Sequence, residues 1–305
     1  MSAFSGVITT PLAPFGEDGR LRPELIEPFV AWQVENGVTG FFCLGTWGGF
    51  AILDSSERRR AAEAWCAAAG KHKAQTLVHI GAFAQHEAIE LAKHAAGCGA
   101  TAIASVIPLY YSGANYYKFD DYRKYFAAIV RESSLPLFLY NNPRTTGVLI
   151  KPGEFVSLAE AGVAGVKDGS KDPGWILEAQ DTLAARGLAG EIIPGNTSAM
   201  IYGVASGLEA CMSGATVCMP RLTSETFAAL RGGDFKLGAA LHRKLMAARR
   251  VVASFGPAAP VSYALLARMG RSLGTARAPW PTIDPKGLDR LLDGLKALGV
   301  PDVAG

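Results

Sequence analysis

The stretch that decides the fold is "AGVAGVKDGSKD", Ala161 to Asp172. Val163, Ala164, Gly165 and Val166 form a short apolar, β-branched run, which reads as a buried strand. Lys167 stands where that run ends. Burying an ammonium without a partner is costly. Either the lysine escapes through the turn into solvent, or it is placed there for chemistry.

Seven further runs of the same kind lie on either side of it. They are "GVITTP" from Gly6, "GFFCLG" from Gly40, "TLVHIGA" from Thr76, "TAIASVIP" from Thr101, "LFLYN" from Leu137, "EIIPGN" from Glu191 and "EACMSGA" from Glu209; the Lys167 run itself is "GVAGVKD" from Gly162. Helical patterns separate them, such as "RPELIEPFVAWQVENG", "DSSERRRAAEAWCAAAG" and "AQHEAIELAKHAAGCG". Asp54 to Glu57 reads as an N-cap with an acidic first turn, and Gly70 and Gly97 read as helix stops. Eight strand–helix units over about 230 residues predict an α/β chain folded as a (β/α)8 TIM barrel. A doubly wound sheet is the competing architecture, but no G-x-G-x-x-G opens a first helix. Beyond Asp234 the pattern is all helical: "DFKLGAALHRKLMAARRVVASF", "PVSYALLARMG" and "DPKGLDRLLDGLKALG". The expected division is a barrel over residues 1–233 and a C-terminal helical region over 234–305.

Composition narrows the function. The chain of 305 residues is 49% hydrophobic and 19% charged, which suits a packed core and excludes a disordered chain. Its net charge of +3 is scattered, so nucleic acid is not an expected partner. The one run of like charge, Arg58-Arg59-Arg60, reads as a solvated helix face. Five cysteines with no C-x-x-C pair argue against a disulfide framework or zinc site. The five histidines form no H-E-x-x-H, and His86 and His94 read as solvated helix residues. No signal-like start or membrane-length apolar stretch is present, so a cytoplasmic location with no membrane partner is the default expectation.

In (β/α)8 barrels the active site lies at the C-terminal ends of the strands. The polar residues ending the eight runs include Thr9, Thr10, Thr46, Tyr110, Tyr111, Tyr140, Asn141, Lys167, Asp168, Asn196 and Ser213. One lysine among hydroxyls and phenols, without a carboxylate cluster, suits imine chemistry better than metal or phosphoryl chemistry. Desolvation favours the neutral amine, the form that attacks a ketone. A phenol nearby can move protons. Tyr140 ends the run before that of Lys167, and parallel neighbours lie about 4.8 Å apart.

At these residues the chain resembles the dihydrodipicolinate synthase/N-acetylneuraminate lyase family of class I, pyruvate-type aldolases. "GVKDGSKD" is similar to the family's Schiff-base segment, with Lys167 as the imine lysine. "LYNNPRTTG" resembles its Y-N-x-P segment, with Tyr140 as the acid/base phenol. "GTWGG" occupies the place of G-T-T-G-E. "EAIELAKHAAGCGATAIASVIPLYY", "GLEACMSGA" and "APVSYALLARMG" resemble its fourth-strand region, last barrel strand and C-terminal helices. The resemblance implies a homotetramer built as a dimer of dimers, a small-molecule 2-keto acid substrate, and neither cofactor nor metal. It also implies that Thr46 links Tyr140 to a tyrosine of a partner subunit. That tyrosine maps to Tyr110, with Tyr111 open as the alternative.

The departures from the pattern bear on substrate. The family's second threonine helps hold the keto-acid carboxylate; here it is Trp47. Backbone N–H groups of Trp47 and Gly48 can still form an anion site. The indole either packs under the loop or lines the pocket. The family glutamate is Gly49, which is expected to free the loop. In dihydrodipicolinate synthases an arginine two residues after the Y-N-x-P proline grips the aldehyde's carboxylate; here that position is Thr145. Arg144, one residue earlier, either substitutes for it or sits on the surface. Met212 matches a position whose backbone faces the imine, and its side chain reads as core. The implied function is a lyase acting on a 2-keto-3-deoxy acid type of substrate. The alternatives are 4-hydroxy-tetrahydrodipicolinate synthase and, from another class, a non-catalytic ligand-binding paralogue.

Overall fold

The computed structural model describes residues 2–112, 116–284 and 286–303. Its strands are β1 (Gly6–Thr9), β2 (Val38–Cys43), β3 (Gln75–His79), β4 (Ala102–Ser105), β5 (Leu137–Asn141), β6 (Gly165–Asp168), β7 (Glu191–Pro194) and β8 (Ala210–Ser213). They form one eight-stranded sheet in the order β7-β6-β5-β4-β3-β2-β1-β8. Helices follow the strands: α1 (Ile26–Glu35), α2 (Ser55–Lys71), α3 (Gln85–Gly97), α4 (Phe119–Glu132), α5 (Pro143–Thr146), α6 (Pro152–Glu160), α7 (Pro173–Ala185), α8 (Met200–Ala205) and α9 (Pro220–Arg231). The fold is a (β/α)8 barrel, as the sequence predicts. Three more helices close the chain: α10 (Phe235–Ala253), α11 (Ala258–Arg268) and α12 (Leu288–Ala297). The last was expected from Asp284; Pro285 in that stretch lies outside the described residues.

Two compact units make up the chain. One holds residues 1–5 and 76–212. Within it β4, β5, β6 and β7 pair in parallel, with Phe138 opposite Gly165 and Tyr140 opposite Lys167. Four buried residues in four positions make β6 a strand enclosed on both faces, which its apolar run requires. The strand begins at Gly165 rather than Gly162. Gly162 is left-handed (φ +96), and the Val163 amide bonds back to Leu158 O at 3.1 Å, so Gly162 and Val163 complete the end of α6. Phe4 packs edge-on against Phe138, and Trp175 donates its indole N–H to Ile150 O at 2.8 Å.

The other unit holds residues 6–75 and 213–305. Trp65 of α2 stacks on Phe41 of β2 and meets Phe29 of α1 edge-on. The N-terminus of α2 is a capping box: Asp54 accepts from the Glu57 amide at 2.8 Å, and Glu57 accepts from the Asp54 amide at 3.1 Å. Glu57 also takes a bidentate pair from Arg277 at 2.6 and 2.9 Å, which ties the C-terminal segment to α2. Asp234 caps α10 through the Leu237 amide.

Two local expectations are corrected. Arg58 is buried, with its guanidinium 5.7 Å from the Phe50 ring centroid, Arg59 is half-buried, and Arg60 is exposed. A three-residue run cannot keep every member on one helix face. Gly70 lies inside α2 rather than ending it, whereas Gly97 is the last residue of α3, as expected. The left-handed residues that turn the chain are Lys73 (φ +55) and Gly99 (φ +76). Among the described residues no helix is long and apolar enough to cross a membrane.

Candidate active site

Tyr140 and Lys167 are register partners at the C-terminal ends of β5 and β6. Both are buried, at 5% and 6% exposure. The Lys167 Nζ stands 4.2 Å from the centroid of the Tyr140 ring, over its face. The lysine of the deciding stretch therefore does not escape into solvent. The electron-rich ring face attracts an ammonium electrostatically and so gives the buried group a partner.

The strand ends around this pair are tied together. Asn141 donates to Asp168 Oδ1 and to Ile150 O, both at 3.1 Å, and accepts from the Ile150 amide at 3.2 Å. Asp168 also accepts from the Ser170 amide and, at 2.6 Å, from the Ser170 hydroxyl. Burial pushes the Asp168 carboxyl up, and the Ser170 donors oppose that shift. Gly195, after β7, donates its amide to Asp168 O at 2.7 Å. A Cβ at Gly195 would lie 2.3 Å from Lys167 Cε, 2.6 Å from its Nζ and 2.5 Å from Asp168 O. The lysine thus fills the space that a side chain at 195 would take. Gly195→Ala is expected to displace the amine from the Tyr140 ring and to destabilise the fold by about 1–3 kcal/mol, the scale of overpacking strain. A fall in melting temperature checks this, and an unchanged one would contradict it.

Tyr140 is held at its other edges as well. Its hydroxyl oxygen accepts from Asn142 Nδ2 at 3.0 Å. The His79 ring meets it edge-on at 5.8 Å, and His79 Nε2 accepts from the Val106 amide at 3.4 Å. Among the described residues no group of three or more His, Cys, Asp or Glu side chains is arranged to hold a metal ion.

The sequence model of the Dihydrodipicolinate synthetase family matches residues 3–298. The chain belongs to that family. Among curated relatives it is 29% identical over 262 residues to the 4-hydroxy-tetrahydrodipicolinate synthase of Acidiphilium cryptum, covering 86% of this chain and 87% of the relative. It is 27% identical over 248 residues to the probable 2-dehydro-3-deoxy-D-pentonate aldolase YjhH of Escherichia coli, covering 81% of each. Among solved structures, KD(P)GA from T. tenax matches with a TM-score of 0.86 at 25% identity, over 96% of this chain and 99% of that one.

In this member of the dihydrodipicolinate synthetase family the remaining candidate residues are distributed as follows. Thr46 and Trp47 are half-buried and Gly48 is buried in the loop after β2. A Cβ at Gly48 would lie 2.8 Å from Leu44 N and Cα, so the loop folds back on itself there. Gly49 is left-handed (φ +66), a conformation open to glycine, and its amide bonds to Thr46 O at 3.3 Å, closing a tight turn. The Trp47 ring lies against Gly214, where a Cβ would meet Cζ2 at 2.8 Å. It lines a cavity of about 60 Å³ with Ala215, Cys218, Arg249 and Ser262. Arg144 and Thr145 are exposed on the single turn α5. Met212 is buried in β8. Tyr110 and Tyr111 are exposed, their rings perpendicular at 5.1 Å, and Tyr110 is left-handed (φ +57).

His79, Asn142 and Gly195 border the Tyr140–Lys167 pair but carried no role in the sequence reading. A histidine at the end of the apolar run "TLVH" and a glycine just past "EIIP" were the available signals. Asn142 sits at the variable position of Y-N-x-P and gave none.

Proposed function

We propose that this chain is a lyase that forms a Schiff base between Lys167 and pyruvate or another 2-keto acid. Its substrate type is a 2-keto-3-deoxy acid, cleaved, formed by aldol addition, or dehydrated. The observation that carries the reading is the buried Lys167 amine over the Tyr140 ring, in register on adjacent strands.

The chemistry follows from that pair. The neutral amine adds to the keto carbon, giving a carbinolamine. Tyr140 donates its proton to the carbinolamine hydroxyl, water leaves, and the nitrogen lone pair completes a C=N⁺ bond. The resulting phenolate takes the proton of the substrate's 4-hydroxyl. The C3–C4 bond breaks, its electrons pass to the iminium as an enamine, and the aldehyde departs. No metal is required at any step.

On the strength of the family likeness, the proposal adds Thr46 to the proton route and Tyr110 as its member from a partner subunit. It assigns the keto-acid carboxylate to the loop at Trp47 and Gly48, and the substrate's far end to Arg144 and Thr145, with Met212 presenting backbone to the imine. A homotetramer, a cytoplasmic location and a helical region beginning at residue 234 belong to the same proposal. Thr145 at the family's arginine position leaves the carboxylate of the aldehyde partner without its usual bidentate donor. This disfavours 4-hydroxy-tetrahydrodipicolinate synthase. A binding-only paralogue is disfavoured because binding needs no buried imine lysine.

The test is a panel of 2-keto-3-deoxy pentonates and hexonates read as pyruvate released, or as the dehydrated keto acid, beside condensation of pyruvate with aspartate semialdehyde. At least one panel member is expected to turn over about 10²-fold faster than the semialdehyde reaction, the scale of discrimination from a lost charged hydrogen-bond pair. Efficient semialdehyde condensation with an inert panel would overturn the reading.

A further inference from the structure

The carboxamide of Asn142 reaches the oxygen of Tyr140, two residues earlier in the chain. Nδ2 donates to Oη at 3.0 Å, and Asn142 is 9% exposed. So short a return requires the chain to turn at once, and α5 supplies the turn. Pro143 takes its first position, where the missing N–H costs nothing. The Asn142 carbonyl accepts from the amides of Thr145 and Thr146 at 3.0 and 3.1 Å, and from their hydroxyls at 3.3 and 3.1 Å. Backbone and side chain of Asn142 are thereby fixed against the end of β5.

A carboxamide NH₂ only donates. In this contact the phenol oxygen is the acceptor, so the phenol's own hydrogen points away from Asn142. Lys167 and His79 lie against the ring of Tyr140. We infer that Asn142 is a positioning residue for Tyr140: it holds the phenol oxygen, aims the phenol proton toward the substrate, and keeps a donor on that oxygen while it carries charge. The inference rests on the acid/base role proposed for Tyr140. In carbinolamine breakdown Tyr140 loses its proton to the departing water; in C–C cleavage it regains one from the substrate hydroxyl. The oxygen is negative between these two events, and a donor already in place needs no reorganisation to meet that charge. Asn142 itself gains and loses no proton.

The test uses the full chain and the best substrate of the panel. Asn142→Leu keeps the volume without the donor. Asn142→Asp keeps the shape but makes the group an acceptor, which turns the phenol proton toward residue 142. Both are expected to lower kcat by about 10²-fold, the effect of removing one donor from a developing oxyanion, with KM within about threefold. In the background of Tyr140→Phe, the Asn142→Asp change is expected to cost little more, because the two act as a unit. A kcat within threefold of the parent in Asn142→Asp, a loss carried by KM alone, or a loss that adds in full to that of Tyr140→Phe would overturn the inference. Tyr140→Phe separates the two failures. If it turns over normally, the acid/base reading falls and this inference with it. If it is slow while both Asn142 variants keep their kcat, only the role of Asn142 falls.

Discussion

Lys167→Ala is expected to abolish covalent capture of pyruvate and to lower turnover by at least about 10⁴-fold, since the imine splits a difficult bond cleavage into two easier steps and nothing replaces it. Borohydride with pyruvate should add mass to the peptide carrying Lys167 in the parent and leave it unmodified in the variant. The fold should survive. Lys167 is a buried amine whose desolvation opposes folding, so its removal trades a lost contact with the Tyr140 face against a relieved penalty. Lys167→Arg gives a second arm: it retains a cation beside Tyr140 but forms no imine, so charge alone should not restore turnover. Normal trapping in Lys167→Ala would move the Schiff base to another lysine. Normal turnover without trapping would remove imine chemistry from the proposal.

The barrel was legible because eight short apolar runs ended in polar residues and alternated with helical patterns, the repeat of a strand and its covering helix. The Tyr140–Lys167 pairing was legible for the same reason: consecutive strands are neighbours, and both residues sit at strand ends. What stayed hidden depends on turns. The Asn142 contact exists only because α5 winds up directly after β5, and a four-residue turn leaves no hydrophobic period to read. The close approach of Lys167 to Gly195 depends on how far a long side chain reaches across the next strand. The direction of the Trp47 indole was open because one loop residue can face either way. The ring lies against Gly214, a contact between residues far apart in sequence. Arg58 was misread because a charge run says nothing about which of its members falls on the buried face.

Tyr140→Phe should lower kcat by about 10²–10⁴-fold, the range for removing a positioned general acid/base. The ring itself remains, and with it the face beneath the Lys167 amine and the edge contact with His79. The lost oxygen takes with it the Oη acceptor for Asn142 Nδ2, a contact whose loss in a buried place costs about 1–3 kcal/mol of stability. A modest fall in melting temperature is therefore expected beside the large fall in rate, and the two are separable. The KM for the keto acid should change little, because the phenol's work lies in moving protons after the substrate has bound. Trapping with pyruvate should still occur, but slowly, since carbinolamine breakdown loses its acid while Lys167 keeps its place. This combination distinguishes a proton carrier from a packing tyrosine. A packing tyrosine would tolerate phenylalanine with its rate intact, so a variant with parental kcat and only a lowered melting temperature would remove Tyr140 from the chemistry.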